Sequence, residues 1–166
     1  MDYHWKPSVT VAAIIEQAGR FLLVEEQTSE GLRLNQPAGH LEPNESILQA
    51  VERETLEETA HQFTPTYLIG VYHSRFISNS SGTDHTYVRF AFAGTLGQKH
   101  ERALDSGIMR TLWMTRAELA ACPERHRSPM LLQCIDDYLR GQRNDLGLLF
   151  THASVGAPTM PKESEI

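Results

Sequence analysis

The sequence predicts an α/β fold of the α+β type, in which short strands surround one acidic helix and a second helix follows near the end. Three observations support this fold class. Runs rich in β-branched and aromatic residues recur along the chain. Residues 44–60 space their apolar side chains as a helix does, and a second helical pattern ends at Gly141. The length of 166 residues suits one domain, which we assign to residues 1–150. Residues 151–166 have little to bury and are expected to form a flexible tail.

The first strands form a predicted hairpin. Residues 9–15 and 21–25 are β-rich, and Gln17, Ala18 and Gly19 between them suit a turn in which glycine supplies a positive φ. Residues 27–43 then contain several turn-forming residues and predict a loop around a short strand near Leu34.

The acidic helix is predicted to begin at Asn44, a good N-cap, and to end near Ala60. One apolar stripe supports it, with members three or four residues apart: Ile47, Leu48, Val51 and Thr55.

The second half of the chain predicts strands at residues 67–73, 87–96 and 112–114. Alternation in the middle strand places Arg89 on the face opposite Val88 and Phe90. Thr115 opens a capping box for a short helix, because Glu118 follows it at the right distance. The last helix is predicted to begin with Ser128 as its N-cap, followed by Pro129.

Composition excludes several classes of protein. Fifteen Lys and Arg against 21 Asp and Glu give a net charge of −6, the wrong sign for binding a nucleic acid polymer. No apolar run reaches the roughly 18 residues of a membrane span, and residues 1–6 lack the pattern of a signal peptide. Cys122 and Cys134 have no closely spaced partner, which suits free thiols in a reducing compartment. The expected location is the cytoplasm, and the chain is expected to be a monomer or a homodimer.

The acidic helix carries most of this charge, since residues 42–58 contain six Glu and one Arg. On a helical wheel, Glu54, Glu57 and Glu58 share an arc of about 100° that overlaps the edge of the apolar stripe, whereas Glu52 lies on its other side. Like charges at this spacing destabilise a helix, and carboxylates near its C-terminus oppose the helix dipole. A divalent cation relieves both effects, because hard ions such as Mg²⁺ and Mn²⁺ prefer carboxylate oxygens. The pattern therefore indicates a metal site that can attract phosphate.

The same residues form a specific motif. Gly39 is followed after five residues by Glu45, and after seven more by Arg53, Glu54, Glu57 and Glu58 in a fixed arrangement. This spacing resembles the Nudix box of the Nudix hydrolase family. The family's pattern has a glycine where this chain has Ala60, and an aliphatic residue where this chain has Thr55. In that pattern the glycine would serve as a left-handed C-cap of the helix.

The surrounding sequence is similar to bacterial NudJ-type phosphatases within that family. The similarity extends over residues 6–143. The stretches that carry it are residues 35–42, 127–129 and 141–143. The resemblance implies an α/β/α sandwich with a mixed β-sheet and a loop–helix–loop catalytic motif.

The resemblance also implies roles for individual residues. Glu54, Glu57 and Glu58 correspond to the family's metal ligands, with the Gly39 carbonyl as a further ligand, and Mg²⁺ is the expected ion, with Mn²⁺ as a possible substitute. Arg53 corresponds to an arginine that orients the carboxylates. A bound ion neutralises the diphosphate and lowers the pKa of the attacking water.

The general base and the substrate contacts are less specific. Glu57 and Asp105 are both candidates for the base, and Asp105 equally suits a turn before the strand at residues 112–114. Arg89, Lys6 and Gln36 are the expected substrate contacts. The histidines lack zinc-site spacing, so zinc is not expected.

The predicted function is Mg²⁺-dependent hydrolysis of small organic diphosphates. The resemblance implies nucleoside di- and triphosphates and hydroxymethylpyrimidine diphosphate as substrates. Another specificity within the family, for ADP-ribose, dinucleotides or oxidised dGTP, is an alternative, and a catalytically silent ligand sensor is an alternative of another class. Specificity is expected to lie in residues 27–34, residues 74–85 and the loop at Asp105, none of which carries a motif that names a substrate.

Overall fold

A computed structural model describes residues 6–77 and 82–156 of the chain. It has eight strands within these ranges: β1 Ser8–Ile14, β2 Glu16–Gln17, β3 Arg20–Thr28, β4 Gly31–Asn35, β5 Ala38–His40, β6 His61–Ile77, β7 Asp84–Lys99 and β8 Ile108–Thr115. The α-helices are α1 Ile47–Thr59, α2 Arg116–Ala120 and α3 Met130–Leu139, and short 3-10 helices lie at Pro123–Arg125, Leu146–Leu148 and Ala153–Gly156.

The strands form two sheets. In the first, the order is β5-β1-β7-β6, with β1 parallel to β7 and the other neighbours antiparallel, so the sheet is mixed. In the second, β3 pairs antiparallel with β2 and β4 on one edge and with β8 on the other. The predicted mixed α+β class is therefore confirmed.

Side chains of the central strands belong to two hydrophobic clusters, one on each face of the first sheet. Val11, Ala13 and Ile15 pack with Val51 of α1, whereas Ile14 packs with Ile135 of α3. This alternation follows from the two-residue period of a strand. Helices consequently cover both faces, as expected for a sandwich of helices around sheets.

The predicted hairpin turn is present, since Gln17 pairs with Arg20 and only Ala18 and Gly19 lie between them. Both have positive φ, 50° and 75°. The Gly19 amide also donates to Glu16 Oε1 at 2.6 Å.

Only the Thr115–Glu118 capping box is confirmed among the predicted helix starts. The prediction that Ser128 is the N-cap of α3 is wrong by one residue, because Pro129 is the N-cap, although Ser128 Oγ accepts from the Met130 amide. The prediction that Asn44 caps α1 is wrong, because Asn44 adopts a left-handed φ of 68° in the preceding turn. Ser46 is the N-cap instead, and its capping box with Gln49 satisfies two backbone amides.

The strands are longer than the sequence pattern predicted. β6 begins directly after α1, at His61, and β7 extends to Lys99. Residues 38–40, predicted as part of a loop, form strand β5 and pair with β1. Residues 153–156 of the predicted tail form a 3-10 turn, whereas residues 157–166 lie outside the described residues.

None of the helices within residues 6–77 and 82–156 is long and apolar enough to cross a membrane.

Candidate active site

A short loop between β5 and α1 supplies one wall of the candidate site. Ser46 fixes the first turn of the helix, and the left-handed Asn44 reverses the chain just before it. Glu45, between them, accepts from the Glu42 amide at 2.7 Å. The loop therefore holds the Glu45 carboxylate over the helix.

Arg53 connects this loop with the helix carboxylates. Its Nε and Nη2 donate to the two oxygens of Glu45, both at 2.9 Å, and Nη2 also donates to the His40 carbonyl at 2.9 Å. Its Nη1 donates to Glu54 Oε1 and Glu57 Oε2, each at 2.9 Å. The planar fork of a guanidinium makes such bonds in fixed directions. Arg53 thus orients three carboxylates at once.

Glu54 packs directly against the backbone of β5. A Cβ built on Gly39 would lie 2.1 Å from the Glu54 carboxyl group, so any side chain at this position would displace it. Glu54 is buried, and burial raises its pKa, although the Arg53 hydrogen bond partly opposes that effect. Glycine at position 39 is therefore required for close contact between carboxylate and strand.

Glu58, one turn further along α1, is also buried beside β5. Its Oε2 accepts from the Ala38 amide at 2.9 Å. Burial raises the pKa of Glu58 to about 8, and the nearby charges of Glu54, Glu26 and Asp105 act in the same direction. The Ala38 bond opposes this rise but does not cancel it.

Asp105 lies at the C-terminal end of α1. Its amide donates to the Glu57 carbonyl at 2.9 Å, and its own carbonyl accepts from Ile108 in a turn. Its charge is close enough to raise the pKa values of Glu54 and Glu58. The structure therefore brings this loop residue, far along the chain, next to the box carboxylates.

The helix ends at Ala60, which adopts the left-handed conformation expected of the missing glycine, with φ 61°. Its amide donates to the Leu56 carbonyl, and its carbonyl accepts from His100 at 2.7 Å. The departure from the box pattern thus leaves the C-cap geometry intact.

The donor set suits a hard divalent cation. Within residues 6–77 and 82–156 no three His, Cys, Asp or Glu side chains already converge as a metal cluster, and Arg53 takes oxygens of Glu54 and Glu57. The carboxylates nevertheless lie near one another, since the neighbouring carboxylates add to the effect of burial, which is the main cause of the raised pKa values of Glu54 and Glu58. Oxygen ligands of this kind match Mg²⁺ or Mn²⁺.

A cleft of about 240 Å³ opens on the other side of β5. Ala38 and Gly39 line it, so the cleft and the carboxylates share one strand. The remaining lining residues are Thr10, Glu26, Asn35, His40, Ser74, Phe76, Tyr87, Arg89, Arg127, Ser128 and Pro129.

The predicted substrate contacts occupy different places around this cleft. Arg89 lines it, is buried, and donates to Gln36 Oε1 at 3.2 Å. Gln36 is only 1% exposed and donates in turn to the Leu131 carbonyl at 2.8 Å, so it supports Arg89 from behind. Lys6 is exposed and does not line the cleft.

Sequence reasoning did not single out several lining residues. Glu26 and Arg127 form an ion pair across the cleft wall, with Oε1 and Nε 3.2 Å apart. Burial raises the pKa of Glu26, and Arg127 partly opposes this. Asn35 lies in the stretch 35–42 that resembles the family, and Phe76 lies in the predicted specificity segment 74–85, so both had a signal in the sequence, whereas Tyr87 had none.

The fold and this site define a class of protein, and comparisons with known proteins agree with it. Residues 4–133 match the NUDIX domain family model. The chain belongs to the Nudix hydrolase family, whose members act on phosphoric anhydride bonds.

Particular relatives are similar over most of the chain. Phosphatase NudJ of Escherichia coli K12 is 35% identical over 147 residues, which cover 87% of this chain and 92% of that protein. The structure of a NUDIX hydrolase from Nitrosomonas europaea is 49% identical, covers 89% of this chain and 98% of its own, and superposes with a TM-score of 0.81.

A more distant structure shares the fold alone. It is a bifunctional NMN adenylyltransferase/ADP ribose pyrophosphatase from Francisella tularensis, complexed with AMP and a Mn ion. It is 19% identical, covers 83% of this chain and 42% of its own, and has a TM-score of 0.60. Nudix hydrolases generally use divalent metal ions of this kind.

Proposed function

We propose that this protein is a Mg²⁺-dependent hydrolase of small organic diphosphates. Its substrates would be nucleoside di- and triphosphates and hydroxymethylpyrimidine diphosphate. The observation that carries the proposal is the Arg53-centred cluster. Arg53 donates to Glu57 and to Glu54, which packs against Gly39 of β5, and a cleft large enough for a small ligand is lined by the same strand. The similarity to Phosphatase NudJ supports a phosphatase activity, and the named substrates are those that the resemblance in the sequence implies.

The ion would be held by Glu54, Glu57, Glu58 and the Gly39 carbonyl, with Mn²⁺ as a substitute. When bound, it neutralises diphosphate charge and lowers the pKa of water. Arg53 would keep the carboxylates in place through bonds at 2.9 Å. The Glu54 carboxyl group lies against Gly39 and the Glu58 carboxylate accepts from the Ala38 amide, so both lie beside β5, which supports a cation at this point.

Hydrolysis then requires a base that accepts a proton from the attacking water. A bond forms between that water oxygen and phosphorus, and the bond from phosphorus to the bridging oxygen breaks. Glu57 and Asp105 remain the two candidates for the base. Glu57 already accepts a bond from Arg53, whereas the Asp105 side chain has no hydrogen bond or ion pair within the described part of the chain. Separate Glu57→Gln and Asp105→Asn variants test the two candidates. The acid limb of the pH–rate profile is measured for each, and the variant in which that limb is lost identifies the base.

Arg89 is the cation best placed for substrate phosphate, because it lines the cleft and Gln36 fixes its guanidinium. Gln36 is proposed to act through Arg89. Lys6 lies outside the cleft and stays a prediction from the sequence. Among the described residues Arg89 takes part in no ion pair with a carboxylate, so its charge is available to an anionic ligand.

The two free thiols, Cys122 and Cys134, support the cytoplasm as the compartment, since reducing conditions keep thiols unpaired.

A substrate panel tests this function. Phosphate release is measured with Mg²⁺ and with a chelator on ATP, GTP, GDP, ADP-ribose, a dinucleoside polyphosphate and hydroxymethylpyrimidine diphosphate, with orthophosphate resolved from pyrophosphate. We expect metal-dependent orthophosphate from the nucleotides and from the pyrimidine diphosphate. Activity confined to ADP-ribose or the dinucleotide would contradict the proposed substrates, and no activity on any compound would favour a sensor.

A further inference from the structure

Strand β6 lies at one edge of the first sheet. The strand order β5-β1-β7-β6 gives it β7 as its one neighbouring strand within the described ranges. Backbone amides and carbonyls on the outer side of an edge strand can pair with a strand of another molecule. Proteins commonly prevent such pairing with bulges, proline, charged side chains or a covering loop. The two halves of β6 differ in these features.

The first half of β6 is protected against pairing. It contains Pro65 and all three register shifts in the pairing of β6 with β7. Asn144 covers the strand at Leu68, because the Leu68 amide donates to the Asn144 carbonyl at 3.0 Å and the Asn144 amide donates to the Leu68 carbonyl at 2.9 Å. Another strand therefore cannot pair along this half.

The second half of β6, residues 71–77, is regular and open. From Gly70 to Ile77 each residue pairs with β7 without a register shift. Outside the helices and strand ladders of residues 6–77 and 82–156, none of the backbone hydrogen bonds involves residues 71–77. Val71 and Ile77 are 53% and 58% exposed. A regular edge with exposed apolar side chains is a site at which strands associate.

The same segment is symmetrical in residue type about Ser74. In both directions from Ser74 the chain has a basic residue, then an aromatic residue, then a β-branched apolar residue. The three pairs are His73 and Arg75, Tyr72 and Phe76, and Val71 and Ile77. Two copies that run antiparallel with Ser74 opposite Ser74 therefore place apolar opposite apolar and aromatic opposite aromatic residues, which are favourable cross-strand pairs.

This symmetry favours a second copy of the chain as the partner, because a strand of a different protein would not require it. It also favours one register. Side chains alternate with a period of two residues, so one copy can shift only in steps of two without exchanging the faces. Such a shift would place Val71 opposite Arg75, or Arg75 opposite itself.

The Arg75 charge is neutralised within its own chain. Its Nε and Nη2 donate to Asp84 of β7 at 2.9 and 2.7 Å. Like charges that meet across two strands are destabilising. Because Asp84 pairs with Arg75, the approach of His73 from another copy meets an ion pair and not a bare cation.

We propose that residues 71–77 of β6 pair antiparallel with the same residues of a second copy, with Ser74 opposite Ser74. The two four-stranded sheets then continue as one sheet across a two-fold axis. Ser74 and Phe76 also line the cleft, so the paired strand of each copy lies beside the cleft of the other.

The molar mass in solution tests the association. Light scattering during gel filtration is measured at concentrations up to about 1 mM, at which even weak association is populated. The native chain is expected to approach twice its mass of 18.7 kDa at the highest concentration. A native chain that stays at 18.7 kDa throughout this range would overturn the proposal.

Variants with one new charge locate the interface. Val71→Lys and Ile77→Lys each place lysine on the paired edge, and both are expected to give a monomer with an unchanged circular dichroism spectrum, because the two side chains are exposed in the single chain. Met109→Lys is the matched control, since Met109 is 60% exposed on β8 of the second sheet, and its dimer is expected to persist. A dimer that survives both β6 substitutions, or that is lost equally in Met109→Lys, would contradict the proposal.

A double variant tests the register. In Val71→Lys/Ile77→Glu the two new charges lie about 20 Å apart along one strand, which is too far for an ion pair. Across the proposed interface each new lysine lies opposite a new glutamate of the other copy. The dimer mass is therefore expected to return. A double variant that stays monomeric while the native chain is a dimer would overturn the pairing of Val71 with Ile77.

Discussion

Glu25 and Glu58 are buried to a similar extent, 5% and 8% exposed, yet their pKa values move in opposite directions. Hydrogen bonds from Arg110 and Arg125 hold the pKa of Glu25 below its usual value. Burial near other carboxylates raises the pKa of Glu58 to about 8. Hydrogen bonds from arginine therefore lower the pKa of Glu25 and make its carboxylate stabilising, whereas burial, with nearby carboxylates as a smaller cause, raises the pKa of Glu58. We propose that the Glu58 carboxylate binds a cation.

Glu25→Gln tests the first half of this contrast. The depressed pKa of Glu25 means that its carboxylate stabilises the fold above pH 4.5 and loses that contribution as pH falls through its folded pKa. The variant is expected to lose about 1 kcal/mol of unfolding free energy at pH 7, a modest value because water screens the half-exposed arginines. Urea denaturation against pH should show the gap closing below pH 4.5. A gap that persists there would contradict the assignment.

Arg53→Lys tests the guanidinium as the organiser of the site. Lysine keeps the charge but lacks the planar fork that reaches Glu45, Glu54 and Glu57 together. We expect turnover or metal affinity to fall by about 10- to 100-fold, the usual cost of losing a group that orients metal ligands. Circular dichroism is expected to remain unchanged. Native kinetics and native metal affinity in a folded variant would contradict this role.

At the scale of elements, α1 shows what its sequence could and could not predict. Its apolar stripe predicted the helix, and its acidic arc placed Glu54, Glu57 and Glu58 at the edge of the apolar face, where Glu54 and Glu58 are buried. Asn44 and Ser46 are both good caps by type, and only the Gln49 partner favours Ser46. The sequence thus contained the signal for Ser46 as the N-cap, but Asn44 is an equally good N-cap by residue type and was chosen instead.

The long strands were harder to predict. β6 contains Pro65 and Gly70, and its pairing with β7 shifts register at three places, including the step from Leu68 to Gly70. Bulges break the alternation from which strands are recognised. Pairing over the full hairpin, rather than a local pattern, makes residues 61–77 one strand.

The first hairpin allows a stabilising substitution. Ala18 has φ 50° and is exposed, and Gly19 follows it with φ 75°, the arrangement of a type I′ turn that favours Asn-Gly. Ala18→Asn is expected to raise the free energy of unfolding by about 0.5 to 1 kcal/mol, because asparagine tolerates this backbone conformation better. Ala103→Asn, at an exposed position without positive φ, is the control and should give no gain. Equal changes in both variants would contradict the explanation.

At the scale of the whole molecule, the functional region depends on contacts between distant segments. β1 and β7 send alternate side chains to α1 and to α3, so both helices are fixed relative to β5. The cleft combines residues of β1, β3, β4, β5, β6 and β7 with Arg127, Ser128 and Pro129. The residues that we propose for the metal belong to a local motif and could be predicted as a group, whereas the cleft exists only after the sheets pair. Part of the predicted specificity segment at residues 74–85 contributes Ser74 and Phe76, and its residues 78–81 lie outside the described residues.

The most direct test of the metal-dependent hydrolase is Glu57→Gln measured beside Glu52→Gln. Glu57 accepts from Arg53 within the site, whereas Glu52 is exposed on the same helix and does not bond to Arg53. Mn²⁺ affinity by calorimetry and phosphate release are followed in both variants. The account predicts that Glu57→Gln loses about 100-fold or more in turnover and binds Mn²⁺ more weakly, while Glu52→Gln resembles the native protein. Native activity and native metal affinity in folded Glu57→Gln would contradict it.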